Sequence, residues 1–578
     1  MTTTKALDGT IRVGEAIARV LEEAEIDMIF GIIGGDSWML FDALNEHTDT
    51  VRAVLVREES LAGVMAEVYG RLTGRPGVVY GQGAWIIANA LLGTLEAHLS
   101  SSPMLLLADL TDGGHLSHHG SYQTGAGDYG GFDARQALGG VVKRVMVAHN
   151  GPQAVQSVQL AIKHALAGER GPIAVLFSSS ALRTKVGPDA HPVIYPTRRY
   201  LTEQRAVPTD AELRQFLDTL RDARRPVIIA GNGVRISNAY PQLQRLAERY
   251  AMPVATSGGG KGVFPEVHEL ALGVCGTFGR PIANAVVGQA DLLLVLGSRL
   301  APPDTANENP LLVDPGRQTI IQLDIEPRNA SWTFPADQTL IGDVRATLDR
   351  LLALDIDAPN PTALEPRHRV LHEARAMHGW FDVDASYSDD VPLLPERIVK
   401  LLNTTLPDDA MVTCDAGENR LFMMHLFQTK RAGNYLQSAG IGGMGYAIPA
   451  ALAAKLVDRS RPVVAVCGDG GFGMSMNGLL TALEQDIPIV VVVLNNAALG
   501  WVYNGLGKRQ ITAELGHYDY AAISRAMGCG GTRVETSEQL TAALEEALAD
   551  HGRPWVIDVV TALDEKHSFL QVTSPLAR

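Results

Sequence analysis

The sequence predicts an α/β protein built from parallel sheets wrapped by helices and divided into three domains. Apolar runs of strand length alternate with amphipathic helical stretches throughout, as in DMIFGI, VRAVLV, GVVYG and MLLLADL before residue 110. Glycine is abundant, 58 in 578 residues, against a usual share of about 7%. Aromatics are only 6%, and this balance suits many tight strand-to-helix turns. Two stretches rich in proline and charge interrupt the alternation with linker composition: VGPDAHPVIYPTRRYLTEQRAVPTD from Val186, and DAPNPTALEP through DVDASYSDDVP after Asp355. They give domains at 1–190, 205–355 and 390–578, each of ordinary domain size. The first and third share a plan in which strands end in glycine-rich turns that lead into helices.

Composition narrows the functional classes. The chain is 46% hydrophobic and 20% charged, with a net charge of −15, so the basic footprint of a nucleic-acid partner is missing. No apolar run reaches the roughly 18 residues of a membrane span, and MTTTKALDG lacks the apolar core of a secretory signal. The expectation is a cytoplasmic protein with no membrane partner. Cys275, Cys414, Cys467 and Cys529 lie far apart and form no C-x-x-C pair, which argues against a disulfide framework or a structural zinc site.

The sharpest pattern lies in the third domain. Pro462 to Cys467 (PVVAVC) reads as a buried strand that ends in Gly468-Asp469-Gly470. A helical stretch from about Ser475 to Gln485 follows, then a second strand, IPIVVVVL, that ends in Asn495-Asn496. In such a βαβ unit, adjacent parallel strands set Asp469 and Asn496 side by side at their carboxyl ends, where open α/β sheets bind ligands. An Asp carboxylate, an Asn amide oxygen and a backbone carbonyl in the Asn496-Ala497-Ala498 turn are hard oxygen donors that suit Mg²⁺. The helix start offers N–H groups to a diphosphate, and Gly468, Gly470 and Gly471 let the backbone approach it. A lone Gly-Asp-Gly reads as a tight turn. Its pairing with Asn495-Asn496 on one unit is what points to a ligand.

This pairing resembles the thiamine-diphosphate signature of the acetolactate synthase and 2-oxo-acid decarboxylase superfamily, and the similarity covers nearly the whole chain. The resemblance implies thiamine diphosphate and Mg²⁺ as cofactors, with Asp469, Asn496 and the backbone oxygen of Ala498 as metal ligands. It also implies that the three domains are pyrimidine-binding, central nucleotide-binding-like and diphosphate-binding, in that order. Ser438 to Tyr446 (SAGIGGMGY) resembles the family stretch whose large apolar residue, here Met444 beside Gly443, props the cofactor in its bent shape. Cys414-Asp415-Ala416-Gly417-Glu418-Asn419 stands where the family has a D-x-G turn near the diphosphate.

In the first domain VRAVLVREE, from Val51 to Glu59, is a strand that ends in carboxylates and passes into the helical stretch LAGVMAEVYGRL. The two glutamates alone would do no more than complement the positive end of that helix. The resemblance assigns Glu59 as the catalytic acid. A carboxylic acid bonded to the far pyrimidine nitrogen favours the imino tautomer that can take the thiazolium C2 proton, provided the site is dry. In the family this Glu and the metal site come from different subunits, which implies a homo-oligomer, either a dimer or a dimer of dimers such as a homotetramer.

The branch within the superfamily is divided. GVVYGQGAWIIAN (residues 77–89) and His118-His119 ahead of TGAGDY (residues 124–129) resemble the decarboxylases. There paired His relay substrate-side protons, a role suited to imidazole near neutral pH, and Gln123 lies beside them. The Gly34-Gly35 turn in GIIGGDSWMLFDAL, on the cofactor side, and Leu499-Gly500-Trp501-Val502-Tyr503 follow the synthases. Decarboxylases carry an active-site Asp where Gly35 stands, and Asp36 is one residue late. The synthase Trp that shapes the acceptor pocket falls near Gly505.

In the central domain Arg225 to Gly233 (RPVIIAGNG) enters a Gly-x-Gly turn, Arg299 follows another strand, and Asp324 in IQLDIE ends a third, where a carboxylate could bind ribose hydroxyls. Relatives hold FAD, ADP or nothing there, and Gly-x-Gly alone does not choose among them. The resulting expectation is an acetolactate synthase-like carbon–carbon lyase or ligase dependent on thiamine diphosphate and Mg²⁺. It would decarboxylate a 2-oxo acid and either release an aldehyde or transfer the acyl group to a carbonyl acceptor. One alternative is a 2-hydroxyacyl-CoA lyase or oxalyl-CoA decarboxylase-like enzyme, for whose CoA phosphates the segment from His567 to Arg578 offers little charge. The other is a non-catalytic regulatory relative, against which stands the joint retention of Glu59, Asp469 and Asn496.

Overall fold

The continuous apolar runs become strands buried on both faces; Met104–Asp109 and Pro172–Phe177 are buried along their whole length. The computed structural model describes residues 6–563 apart from 49, 113–118, 202–203, 356–360 and 507–510. Within it stand three six-stranded sheets whose strands are all parallel.

The first sheet consists of β1 (Met28–Gly31), β2 (Arg52–Leu55), β3 (Gly77–Gln82), β4 (Met104–Asp109), β5 (Arg144–Ala148) and β6 (Pro172–Phe177), in the spatial order β2-β1-β3-β4-β6-β5. The central sheet holds β7 (Pro226–Ala230), β8 (Val254–Thr256), β9 (Ala271–Val274), β10 (Leu292–Leu296), β11 (Thr319–Asp324) and β12 (Gln338–Ile341), ordered β9-β8-β7-β10-β11-β12. That is the doubly wound dinucleotide-fold order. The third sheet holds β13 (Met411–Cys414), β14 (Tyr435–Gln437), β15 (Val463–Gly468), β16 (Val490–Asn495), β17 (Gly530–Val534) and β18 (Trp555–Val560), ordered β14-β13-β15-β16-β18-β17. The first and third sheets therefore have one topology.

Six helices carry the interfaces and the site: α1 (Glu59–Thr73), α2 (Leu91–Leu99), α3 (Glu418–Leu426), α4 (Ala447–Val457), α5 (Asp469–Ser475) and α6 (Gly500–Leu506). The first and third domains share a single apolar cluster, in which Met65, Ala66 and Tyr69 of α1 join Ile448, Ala451 and Leu452 of α4. A polar network is buried beside it. Arg71 donates to Glu67 Oε1 (2.7 Å), to Glu96 Oε1 (2.7 Å) and to the Gln437 carbonyl (3.0 Å). Tyr446 donates to Glu67 Oε2 (3.1 Å), while Ser438 Oγ (2.8 Å) and the backbone N–H of Ile441 (2.9 Å) donate to Glu96 Oε2. Burial pushes the Glu67 carboxyl up. It pushes Glu96 the same way, but Arg71 and the donors around Glu96 outweigh it and hold that carboxyl below its usual value. The central domain is tied to the third by a second buried pair: Lys261 Nζ donates to both Glu266 oxygens (2.8 Å each) and to the Phe427 carbonyl (2.9 Å).

Removing one member of a buried ionic network leaves the others uncompensated. Arg71→Ala should cost roughly 3–5 kcal/mol and lower the calorimetric unfolding midpoint; an unchanged midpoint would refute this account of the interface.

Candidate active site

β15 and β16 pair with Gly468 opposite Leu494, so Asp469 and Asn496 leave neighbouring strand ends. Helix α5 begins at Asp469 itself, earlier than the periodicity suggested, and a second helix, Gly478–Glu484, follows it. Asp469 thus lies in a first turn, where Gly470 N donates to its Oδ1 (2.8 Å). Its carboxylate is buried, and Oδ2 has no hydrogen-bond partner among the described residues. Burial pushes its pKa up to about 6, against the pull of the Gly470, Ala497 and Ala498 amides. Asn496 accepts from Ala498 N at Oδ1 (3.1 Å) and donates from Nδ2 to Glu418 Oε2 (3.3 Å). Beyond the turn the bonds run from Leu499 N to Ala513 O and from Leu515 N to Ala497 O, 2.7 Å each. The pairing thus skips the Ala498 carbonyl.

This donor set fits a hard divalent cation. A buried carboxylate oxygen without a partner is costly in a low-dielectric site, and it stands beside an amide oxygen and a backbone carbonyl of the kind Mg²⁺ takes. No group of three or more His, Cys, Asp or Glu placed to hold a metal occurs among the described residues, so nothing there matches a zinc-type cage of side chains.

The surrounding pocket opens between the ends of β13 and β15, the topological switch point of this sheet. Gly417, at a positive φ of 117°, caps α3, whose first residues, Arg420 among them, line the pocket. A helix start and a guanidinium suit an anion such as a diphosphate. Gly468, Gly470, Gly471 and Met444 also line it. Gly443 does not; its N–H turns to Ser438 Oγ (3.0 Å). The floor is fixed by Asp415, a residue whose role the sequence did not disclose. Its buried carboxylate accepts from Ala416 N (3.1 Å), Gly445 N (2.9 Å) and Tyr446 N (2.9 Å), and burial still pushes its pKa up to about 6. A Cβ on Gly471 would stand 2.0 Å from Asp415 Oδ2, so only glycine fits there.

One wall comes from the central domain. Phe278, on the turn after β9, meets Trp501 edge to face with ring centroids 5.8 Å apart. Its carbonyl accepts from His425 Nε2 (2.8 Å), and Arg280 donates to the His425 carbonyl.

The candidates of the first domain gather elsewhere. Glu59 is the first residue of α1, two positions ahead of the stretch read as helix; it is buried and accepts from Asn89 Nδ2 (3.0 Å). Gly34 and Gly35 follow β1. Gln82 ends β3 and donates to Gln123 Oε1 (2.5 Å), with Gln123 held at φ 62°. Asp36 gives its N–H to Asp109, at the end of β4, and is paired with Arg183. His119 is exposed and sets its ring edge-on to Tyr129 (4.9 Å); His118 lies outside the described residues. None of the described candidates from the first domain lines the pocket around Asp469.

In the central domain the suspected nucleotide residues are used within the protein. Cβ atoms on Gly231 and Gly233 would stand 2.2 Å from Gly297 O and 2.6 Å from Gly297 Cα, so this Gly-x-Gly serves a close approach of two strand ends. Asp324 accepts from Glu326 N (2.9 Å), and Arg299 donates to the Leu99 carbonyl. A separate cavity between the first and central domains is lined by Lys143, Arg170, Arg299, Arg328 and Trp332 among others.

Three family models match the chain: the N-terminal TPP binding domain of thiamine pyrophosphate enzymes over residues 11–128, the central domain over 213–351 and the C-terminal TPP binding domain over 415–559. The chain belongs to the thiamine pyrophosphate enzymes. It is similar to the probable acetolactate synthase large subunit of Methanococcus aeolicus, 28% identical over 562 residues that make up 94% of this chain and 91% of the relative. The acetolactate synthase isozyme 3 large subunit of Escherichia coli is 29% identical over 560 residues, 92% of each chain. The putative thiamine pyrophosphate-containing protein YdaP of Bacillus subtilis is 27% identical over 556 residues, 95% of this chain and 91% of the relative. As a thiamine pyrophosphate enzyme the protein is of the decarboxylase and carboligase kind, and its activity is acetolactate synthase-like. No described helix is long and apolar enough to cross a membrane.

Gly471→Ala should force Asp415 off the loop it anchors. The expected cost is roughly 1–3 kcal/mol, read by thermal denaturation. Gly473→Ala, where a Cβ meets nothing within 4 Å inside the same helix, is the control that should lose no stability.

Proposed function

We propose that this thiamine pyrophosphate enzyme is Mg²⁺-dependent and acts on a 2-oxo acid, losing CO₂ and then either releasing an aldehyde or transferring the acyl group to a carbonyl acceptor. The observation that carries the reading is the unpartnered, buried Asp469 Oδ2 beside Asn496 and the Ala498 carbonyl at the switch point of the third sheet. Asp469, Asn496 and Ala498 would hold the metal, while Gly468, Gly470, Arg420 and the N–H groups of α3 would hold the diphosphate. Met444 would support the bend of the cofactor. When bound, thiamine diphosphate supplies the electron sink for cleavage next to the carbonyl.

The protein's own residues then bind, orient and move protons. Glu59 would serve as the acid, its carboxyl oriented by Asn89 and kept dry by burial. His118, His119 and Gln123 are assigned the substrate-side protons. Because Glu59 does not line the Asp469 pocket of its own chain, we assign the complete site to two copies in a cytoplasmic homo-oligomer, a dimer or a dimer of dimers. The acceptor side is open at Gly505, where a Cβ would meet nothing within 4 Å. The cavity between the first and central domains, lined by Lys143, Arg170, Arg328 and Trp332 together with Glu169 and Glu326, is the place we assign to an adenine nucleotide, as FAD or ADP.

Glu59→Gln should lower turnover by roughly 10²- to 10⁴-fold while thiamine diphosphate still binds in calorimetry; retained turnover would exclude Glu59 as the acid. Subunit exchange between inactive Glu59→Gln and Asp469→Asn proteins should restore part of the activity, and no recovery after verified exchange would refute the shared site. Assay of the purified protein with a panel of 2-oxo acids and acyl-CoA thioesters, following CO₂ and hydroxyketone, separates the reactions; turnover of thioesters alone would replace this reading.

A further inference from the structure

Glu418 stands in the stretch Cys414 to Asn419, whose pattern gave its carboxylate no role of its own, yet two side-chain amides from different elements converge on it. Asn496 Nδ2 donates to Oε2 (3.3 Å), and Asn504 Nδ2, from α6, donates to Oε1 (2.6 Å). Gly500 makes the room, since a Cβ there would stand 1.9 Å from Glu418 Oε2. Glu418 is the first residue of α3 and lines the same pocket as Asp469.

An ionised carboxylate only accepts hydrogen bonds, whereas an Asn side chain carries a donor end and an acceptor end. With Glu418 on one side of Asn496, the amide can turn only its nitrogen to that side, and its Oδ1 is committed to the other. Asn504 holds Glu418 in turn. We propose that Glu418 is a positioning residue for the metal site: the relay Asn504–Glu418–Asn496 fixes which end of the Asn496 amide is offered to the divalent cation. This inference rests on the metal site proposed above. Gln at position 418 cannot serve both asparagines, because its nitrogen end would meet a second donor, so the relay breaks without loss of volume.

The test uses full-length apoprotein at fixed thiamine diphosphate, titrated with Mg²⁺ and followed by the fluorescence of Trp501 and the other tryptophans. Glu418→Gln should raise the metal midpoint by roughly 10- to 100-fold, with the unfolding temperature of the apoprotein unchanged. Asn504→Leu, which keeps every charge, should raise it by less. A Glu418→Gln midpoint equal to wild type overturns the proposal. So does a Glu418→Gln shift without any Asn504→Leu shift, which would mean that only the lost charge mattered. If wild type itself shows no metal-dependent uptake, the metal-site reading falls and this proposal with it; a responsive wild type beside unresponsive variants overturns the relay alone.

Discussion

The Glu96 carboxylate is the interaction on which the rest of the molecule turns. It belongs to α2 of the first domain, yet it accepts from Ser438 Oγ and from the backbone N–H groups of Gly440 and Ile441 in the third. A buried anion with so many donors holds their positions tightly, because each would be left unsatisfied if it moved. The segment it holds leads directly to Met444 at the pocket and to Gly445 and Tyr446 on Asp415. One carboxylate of the first domain thus sets the backbone of the loop that shapes the pocket in the third. Arg71 supplies the countercharge, which permits such an anion in the core.

The first and third sheets repeat one strand order, and in both the candidate residues sit at the carboxyl ends near the switch point. What differs is the chemistry placed there. The third domain offers a bare carboxylate oxygen and helix-start N–H groups, an environment for a cation and an anion together. The first offers Glu59, Gln82, Asp109 and Gln123, which hydrogen-bond to other protein groups: Asn89 to Glu59, the two glutamines to each other, and Asp36 to Asp109. The central sheet keeps the dinucleotide-fold order, but its glycine turn is consumed by contact with Gly297.

Much of this was legible in the sequence because period and punctuation carried it. The apolar runs marked strands such as Val463–Gly468 and Val490–Asn495, and the Gly-Asp-Gly and Asn-Asn pair fell on adjacent strand ends as the βαβ spacing required. The start of α5 was less visible, since three glycines in DGGFG weaken any helical signal; the turn still winds, because the strand end feeds straight into it. Glu418 stood in a noted turn and Phe278 in none, and the roles of both were invisible for a different reason. Their importance comes from partners distant in the chain, Asn496 and Asn504 for the one and Trp501 for the other, and no local period records such meetings. Asp415 stood in a noted turn, but that its carboxylate grips Gly445 and Tyr446 is a tertiary fact.

The placement of Phe278 bears on why the middle sheet exists at all. Its ring closes one side of the cavity against Trp501, and its backbone is clasped by His425, whose own carbonyl takes Arg280. The central domain is therefore masonry in the pocket rather than an appended module. A chimaera that exchanged it for the equivalent part of another family member would import a different rim along with any nucleotide preference, and altered selectivity in such a hybrid would trace to the stonework before the guest.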